Sequence, residues 1–383
     1  MKIPGFKIGI KEKTIIPVAI ILLAALGGLA VFNYFSQVRI LNHEAEDSIR
    51  AAANSTQNII NEKLKQYQQL AAFAAGMPTP TAAFDRGDRK HLISEFLTVF
   101  GDLKKDYGVA QFQYHVPPAT SFLRLHQIEK YGDDLSQIRQ TIVYTNQNRK
   151  GTRGIEVGRG GLGLRGVMPV IYQGKHIGSV EFGGDLAPAI DEAKQVFDIE
   201  LGVVLLPTAE SAAWPEWQSR SKKIGDNILF YSTKPDLVSG YLTPDMLKDA
   251  KTKGDQIQIS SGYTGGKYYH VALTPLKDYS GKIIGYLSIF KDNTELLSRT
   301  RTVLIINLFI YITLLGFIVW AIHKNITRAV IDPVIRLTAA SDNISKGKLT
   351  EKIEIKSDDE IQVLAKSIDR MRVSMKKMLE ELD

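Results

Sequence analysis

At 383 residues the chain has room for two or three compact modules, and an apolar content of 44% is that of a folded polypeptide. The net charge of +7 is spread along the sequence with no basic run interleaved with aromatics, which argues against a nucleic-acid partner. Cysteine is absent, and with it go disulfides, thiolate metal sites, cysteine nucleophiles and covalently attached haem.

A short tail (1–13) with Lys2, Lys7, Lys11 and Lys13 leads into TIIPVAIILLAALGGLAVFNYF, an uncharged stretch of about 22 residues that suffices to cross a bilayer core as a helix. The predicted span is 14–36. Its apolar run is longer than the core of a signal peptide, and no small-residue cleavage pattern follows it. Glu44, Glu46 and Asp47 come next, so the lysines place the tail on the inner side. A helical pattern free of Pro and Gly then fills most of 37–77, with Leu41, Ala45, Ile49, Ala52, Ile60, Leu64 and Tyr67 near one face. GMPTPTAAFDRGD interrupts it.

Beyond the break the sequence alternates as strands do. GVAQFQYHV, ATSFLRLH, GIEVGRG, GLRGVMPVIY and KHIGSVEFGG read as five strands of a first module (78–190), with a helix predicted over DLSQIRQTIVYTNQN. A second set, IELGVVLLP, NILFYST, DQIQISSG, KYYHVALTPL and KIIGYLSIF, makes a second module (191–302). Two hairpins repeat: Gly174, Lys175, Ile177, Gly178 and Asp185 match Gly281, Lys282, Ile284, Gly285 and Asp292 at one constant offset. Five identities in fixed register point to a duplicated unit, with each Asp placed to cap a following helix. The expected fold class is α+β, two antiparallel sheets carrying helices on a long stalk helix.

A second uncharged run, VLIINLFIYITLLGFIVWAI, predicts another span over 303–323. Lys324, Arg328 and Arg336 follow it, so both termini are expected inside and the two modules outside, although Arg299 and Arg301 weaken the bias. The segment 324–378 reads as helix, connector, helix. Its first seam is Val334, Leu337, Ser341 and Ile344, with Pro333 in the first turn, where a missing N–H is tolerated. Gly347 ends that helix, Leu349 and Ile353 punctuate the connector, and Asp358 or Asp359 caps a second helix after which Glu360 follows. The second seam, Ile361, Leu364, Ile368, Met371, Met375, Met378 and Leu382, alternates steps of three and four. It runs into the coiled-coil end at 379–383.

This layout resembles the double Cache receptors of prokaryotes: a helix leaving the membrane, two PAS-like modules in tandem and a return into a second span. YHVPPATSFLRLHQIEKYGDDL together with GIEVGRGGLGLRGVMPVIYQGKHIGSVEFG resembles the membrane-distal module of chemoreceptors and sensor kinases of that type. The resemblance implies recognition of a small molecule, an organic acid or an amino acid, in the distal pocket. The tail DP…L…NISKGKL…DDEIQVLAKSIDRM resembles the HAMP module, with Pro333, Gly347, Leu349, Glu360, Ile361 and Leu364 at its signature positions. Gln362 stands where that family usually has Gly.

Candidate ligand residues come from alternation. In TSFLRLH, Phe122, Arg124 and His126 are expected on one face, opposite Leu123 and Leu125, giving a ring, a carboxylate-binding fork and a switchable donor. A solvated face, or pairing of Arg124 with Asp133 or Asp134, is the competing reading. Tyr114 is the candidate hydroxyl donor and Arg165 the other candidate cation. GRGGLG (Gly158 to Gly163) is followed by a strand pattern where a nucleotide loop needs a helix, so a loop bordering a pocket is expected. His115, His126, His176 and His270 lack metal-site spacing, and no nucleophile–base arrangement presents itself. No metal, no cofactor and no enzyme activity are therefore expected.

The expected protein is a receptor in a lipid bilayer that binds a small molecule outside and passes its state to a HAMP bundle. Narrow helical seams are buried by a second copy, which predicts a homodimer with a parallel four-helix bundle. The tail carries no methyl-accepting hairpin, phosphoacceptor helix or kinase domain. Output is expected through a separate cytoplasmic signalling protein, a kinase or chemotaxis component. The alternatives are the front part of a longer chemoreceptor or sensor kinase, and an adaptor membrane protein that binds a protein ligand outside.

Overall fold

The computed structural model describes residues 10–158, 161–207 and 222–380, without the side chains of 10–14 and 379. Most of the basic tail, Arg159 and Gly160 of the glycine-rich stretch, and Leu382 lie outside the described residues. Residue contacts divide the chain into two units, 41–297 and the pair of segments 1–40 and 298–383.

The larger unit begins in helix α1 (Ile10–Gly76), whose residues Ala45, Ile49, Ala52, Ala53, Ile60, Leu64, Tyr67, Ala71 and Ala74 are buried on one stripe. Two helices follow, α2 (Pro78–Asp85) and α3 (Arg89–Tyr107), in a stretch the sequence reading leaves as a break or unassigned. Local signals for α3 exist. Asp88 accepts a hydrogen bond from the His91 amide at 3.1 Å, Leu92, Phe96 and Phe100 share a buried face, and Gly108 ends the helix at φ 67°.

The first sheet is antiparallel, in the order β2-β1-β5-β4-β3, from β1 (Gln111–Val116), β2 (Thr120–Arg124), β3 (Thr152–Gly158), β4 (Gly161–Tyr172) and β5 (Lys175–Asp185). Helix α4 (Gln140–Asn148) forms only the second half of the helix predicted from 134. One face of this sheet buries Phe112, Tyr114, Phe182 and Leu123 in a single core with Phe84 of α2, Phe96 and Phe100 of α3, and the α1 stripe. Helix α1 comes so close to β4 that a Cβ on Gly166 would stand 2.1 Å from the Gln68 nitrogen.

After α5 (Ala187–Phe197) the arrangement recurs. The second sheet runs β7-β8-β6-β11-β10-β9, from β6 (Glu200–Leu205), β7 (Lys222–Ile224), β8 (Asn227–Ser232), β9 (Gln258–Thr264), β10 (Lys267–Lys277) and β11 (Ile283–Asp292). Apart from the extra edge strand β7, its order repeats the first. The duplicated glycines keep their places. Gly174 and Gly281 adopt φ of 78° and 87°, while a Cβ on Gly178 or Gly285 would lie 2.3 Å from the carbonyl of the adjoining strand, at His115 and Val204. The predicted caps diverge. Asp292 accepts from the Thr294 amide at 3.0 Å, whereas α5 starts after Leu186 without a side-chain cap, so Asp185 only ends its strand. Helices α6 (Pro235–Tyr241) and α7 (Pro244–Thr252) cover the second sheet through Leu237, Val238 and Leu247.

The smaller unit holds the N-terminal part of α1 and most of α8 (Thr294–Ile326), both long and apolar enough to cross a membrane, with their most apolar windows 0% buried. Asn33 Nδ2 donates to the Tyr311 hydroxyl at 3.0 Å within this unit. Helix α8 does not stop before the predicted HAMP segment. It passes through one wide turn (Thr327–Ile331) into α9 (Asp332–Ser345). Pro333 thus sits on a continuous helix, just past a π-turn that offsets its missing N–H, and not at a fresh start. Gly347 turns the chain at φ 79°, and Asp359 accepts from the Ile361 amide at 3.0 Å to begin α10 (Glu360–Glu380). Leu337, Ile344 and Leu349 are buried within one chain. Val334, Ser341, Ile353, Ile361 and Ile368 are half-buried, while Leu364, Met371, Met375 and Met378 are exposed. Arg372, which the sequence reading passes over, donates to the Leu349 carbonyl at 2.7 Å and to Asp369 at 2.8 Å, clamping the connector onto α10.

Candidate functional site

The second face of the first sheet is polar, which an enclosed sheet face tolerates only if its groups are paired or meet a ligand. Across it run two rows set by strand register. Arg124, Gln113 and Glu181 stand side by side on β2, β1 and β5, and Gln111 and Arg165 flank Gly183 one row on. Helix α4 and the segment before it cover this face with Arg139, Thr141 and Ile142. Between them lies a cavity of about 300 Å³ lined by Gln111, Gln113, Arg124, His126, Gln127, Lys130, Leu135, Ile138, Arg139, Gly158 and Arg165. That volume sits at the lower end of small-molecule pockets, about 300–1,000 Å³.

Of the five residues expected to touch ligand, three line this cavity: Arg124, His126 and Arg165. Tyr114 and Phe122 do not. Tyr114 points into the helix-side core, 5.0 Å from the Phe84 ring, with its hydroxyl unpartnered among the described residues and its pKa raised by burial. Phe122 fails through a register effect. β1 pairs Tyr114 with Leu123 but His115 with Ser121, so Phe122 is the extra residue of a bulge that swings it to Phe84 at 4.9 Å, away from Arg124. Strand β2 also ends at Arg124, leaving His126 in a turn.

Arg124 is bound on every side. It holds Asp133 through two bonds of 2.7 and 2.9 Å, meets Gln113 at 3.2 Å and reaches the Lys130 carbonyl at 2.9 Å. It shapes the wall and has little left to offer a ligand. Arg139 is likewise committed, to Glu156 at 2.8 Å and to Glu181. Burial alone would depress its guanidinium, but the carboxylates of Glu181 and Glu156 outweigh burial and hold its pKa above the usual value. Glu156 is fixed further by the Thr141 amide at 2.8 Å and hydroxyl at 2.9 Å.

Arg165 differs. Its Nη1 donates to Gln111 at 2.8 Å, but its Nε is buried with no hydrogen-bond partner among the described residues, 3.6 Å from a Glu181 oxygen that Arg139 already occupies. Burial first, and then Arg139, pull its pKa below the usual guanidinium range. Glycines seat it. A Cβ on Gly163 would meet Arg165 atoms at 2.2, 2.4 and 2.6 Å, and one on Gly183 would meet Nη1 at 2.5 Å. The glycine-rich stretch thus makes room for a guanidinium laid across the sheet, a role unlike that of a phosphate loop.

His115, which no sequence pattern marks as a ligand residue, is wholly buried on this face with Nε2 3.7 Å from Glu181 and neither ring nitrogen hydrogen-bonded among the described residues. Burial, with Arg139 and Arg124, holds its pKa well below the ordinary histidine value. Burial also brings His126 down, to about 4, so both rings are neutral near pH 7. A neutral ring favoured by the fold makes stability fall as pH falls, because the unfolded chain takes up protons first. For His126 the loss begins near its ordinary 6.5 and continues through about 4. The urea midpoint is expected to drop between pH 7 and pH 4.5, and His126→Gln is expected to shallow that drop, His115 supplying the remainder.

Among the described residues the second sheet offers no such site on the same face. Ser179, Glu181 and Gly183 of β5 correspond, at the offset of the repeat, to Tyr286, Ser288 and Phe290 of β11, which pack with Val238 and Leu237. The place of the guanidinium seat is filled by a phenyl ring. An open cleft of about 500 Å³ between the two sheets is larger, but its charged groups are already paired, Arg153 with Gln68 at 2.8 Å and Lys277 with Asp255 at 2.6 Å.

Solved structures with likeness to the chain include the sensor domain of the V. cholerae histidine kinase DctB, at 13% identity and TM-score 0.42, covering 67% of this chain and 98% of that one. The sensory domain of the Campylobacter jejuni chemoreceptor Tlp3 with isoleucine bound is similar at 10% identity and TM-score 0.41, covering 68% and 96%. Among curated protein sequences none matches. The smaller unit matches the HAMP domain over residues 326–377. Residues 42–297, more than half of the chain, match the double sensory domain of two-component sensor kinases, the double Cache fold, and the protein belongs to that family.

Proposed function

We propose that the chain is a transmembrane receptor that binds a small organic acid or amino acid in the cavity of its first sheet and relays occupancy to its HAMP domain. The observation that carries this is Arg165: a buried guanidinium at a cavity wall, seated by glycines, with one donor unmatched among the described residues. A buried cation whose donors are not all matched is costly, and a ligand carboxylate at the wall lowers that cost. The lysine-flanked first span and the basic residues after the second support both termini inside and residues 41–297 outside. In this reading 14–36 and 303–323 lie in the cell membrane.

The relay is proposed to run through α1 and α8, the two helices shared by the units, with α8 entering α9 without a break. The exposed seam of Leu364, Met371, Met375 and Met378 supports a homodimer in which a second chain buries it. Occupancy would then shift the bundle between two packings, by no more than the difference in ligand affinity for them. A cytoplasmic kinase or chemotaxis component reads the result.

Two measurements test this reading on the full chain in lipid nanodiscs. A thermal-shift screen of small acids and amino acids is expected to find a stabilising compound whose effect is lost in Arg165→Gln. A compound that stabilises both proteins equally overturns the assignment of the site. Single cysteines at Ile344 and Ile368 are expected to crosslink between chains with a yield that changes on ligand addition, and an unchanged yield counts against the relay.

A further inference from the structure

The charge around the cavity is one-sided. Among the described residues that line it are four cations, Arg124, Lys130, Arg139 and Arg165, and no carboxylate. The carboxylates of this region stand behind the wall: Asp133 held by Arg124, Glu156 and Glu181 by Arg139. The remaining Glu181 oxygen is buried, on the side of His115. A ligand ammonium would therefore face guanidinium and lysine groups with no acid to receive it. A ligand carboxylate would meet the guanidinium of Arg165 at the wall, and a second anionic group would meet Lys130, which is exposed and makes no ion pair among the described residues. His126 and the amides of Gln113 and Gln127 complete a polar lining that is neutral near pH 7. Leu135 and Ile138 add a short apolar patch to the lining, suited to a short carbon chain.

We infer that the ligand is a small dianion without an ammonium group, a short dicarboxylate, and that the site rejects the corresponding amino acid. The inference rests on the cavity being the ligand site, as proposed above. It goes further in assigning Arg165 to one anionic end and Lys130 to the other, so the two substitutions have separate signatures. Losing Lys130 weakens dianions alone, whereas losing Arg165 weakens every carboxylate. Inorganic phosphate satisfies the charge without the span between the two ends, and so serves to separate charge from shape.

The test is calorimetric titration of the full chain in nanodiscs with succinate, L-aspartate, butyrate, putrescine and inorganic phosphate. Succinate is expected to bind at least about tenfold more tightly than L-aspartate, the same skeleton with an ammonium added, and more tightly than butyrate or phosphate. Arg165→Gln is expected to abolish succinate binding, and Lys130→Gln to bring succinate down to the level of butyrate. Circular dichroism melting of both variants separates lost binding from lost folding, and Lys130, exposed on the rim, is a substitution the fold tolerates. If L-aspartate or putrescine binds more tightly than succinate, in a manner that needs Arg165, the dianion assignment is overturned while the site stands. Preference for phosphate overturns the two-ended ligand. Binding of none of the five, or binding indifferent to Arg165→Gln in a folded variant, overturns the cavity reading itself.

Discussion

Arg139→Met is expected to destabilise the sensory unit by about 3–5 kcal/mol, the range seen when one partner of a buried ion pair is removed. The guanidinium stands between Glu156 and Glu181, which are 5% and 0% exposed. Neither carboxylate can turn to water, because Thr141 holds both oxygens of Glu156 and β5 is a central strand of the sheet. Removing the cation leaves two buried negative charges near each other, and such carboxylates escape by taking up protons. The variant should therefore recover part of its deficit as pH is lowered, opposite in sign to the histidine contribution. Urea unfolding at pH 7.5 and pH 5 reads both effects. The triple change Arg139→Met, Glu156→Leu, Glu181→Leu should recover much of the lost stability, since an apolar replacement of a complete buried network costs little. A single-variant deficit below about 1 kcal/mol would show that this network does not hold α4 onto the sheet.

The second large effect is expected at Gly166. Its added methyl would meet the Gln68 nitrogen at 2.1 Å, the Tyr67 carbonyl carbon at 2.4 Å and the Gln68 Cα at 2.6 Å, all backbone of α1. Side chains can rotate out of a clash, but a helix backbone has to move as a body. Gly166→Ala should thus reach the upper end of overpacking penalties, about 3 kcal/mol. It should also weaken ligand binding, because Arg165 is its neighbour on β4. Gly101 is the control. It lies inside α3, where an added Cβ would have no described atom within 4 Å, so Gly101→Ala should stabilise by up to about 1 kcal/mol through helix propensity alone. Thermal melts that place both variants together would refute the close helix–strand packing.

The candidate site was only partly readable in advance. Arg124, His126 and Arg165 stand out as polar residues on alternating strands, and all three line one cavity. Their roles are less readable. Arg124 looks like a free fork in the sequence, yet Asp133 saturates it, the competing possibility that its nearness in sequence raises. Arg165 looks secondary, yet it is the cation with a donor to spare. Glu156 and Glu181 leave a faint trace, a lone carboxylate in each of the apolar strands GIEVG and SVEFG. Nothing near either one signals that a single arginine on another element will bind both.

By itself the sequence determined the two apolar helices, the duplicated hairpins, the tandem α+β modules and the two helices of the HAMP domain. Each is written in residues a few positions apart, so hydrophobic period and turn chemistry suffice to read it. Only the tertiary structure decided which strands pair as 2-1-5-4-3, where the β2 bulge turns Phe122 away, that Pro333 continues a helix, and which guanidinium is left unsatisfied. Those outcomes depend on partners tens of residues distant, brought together by sheet pairing and by the exclusion of water from one polar face. A pattern of near neighbours holds no record of them.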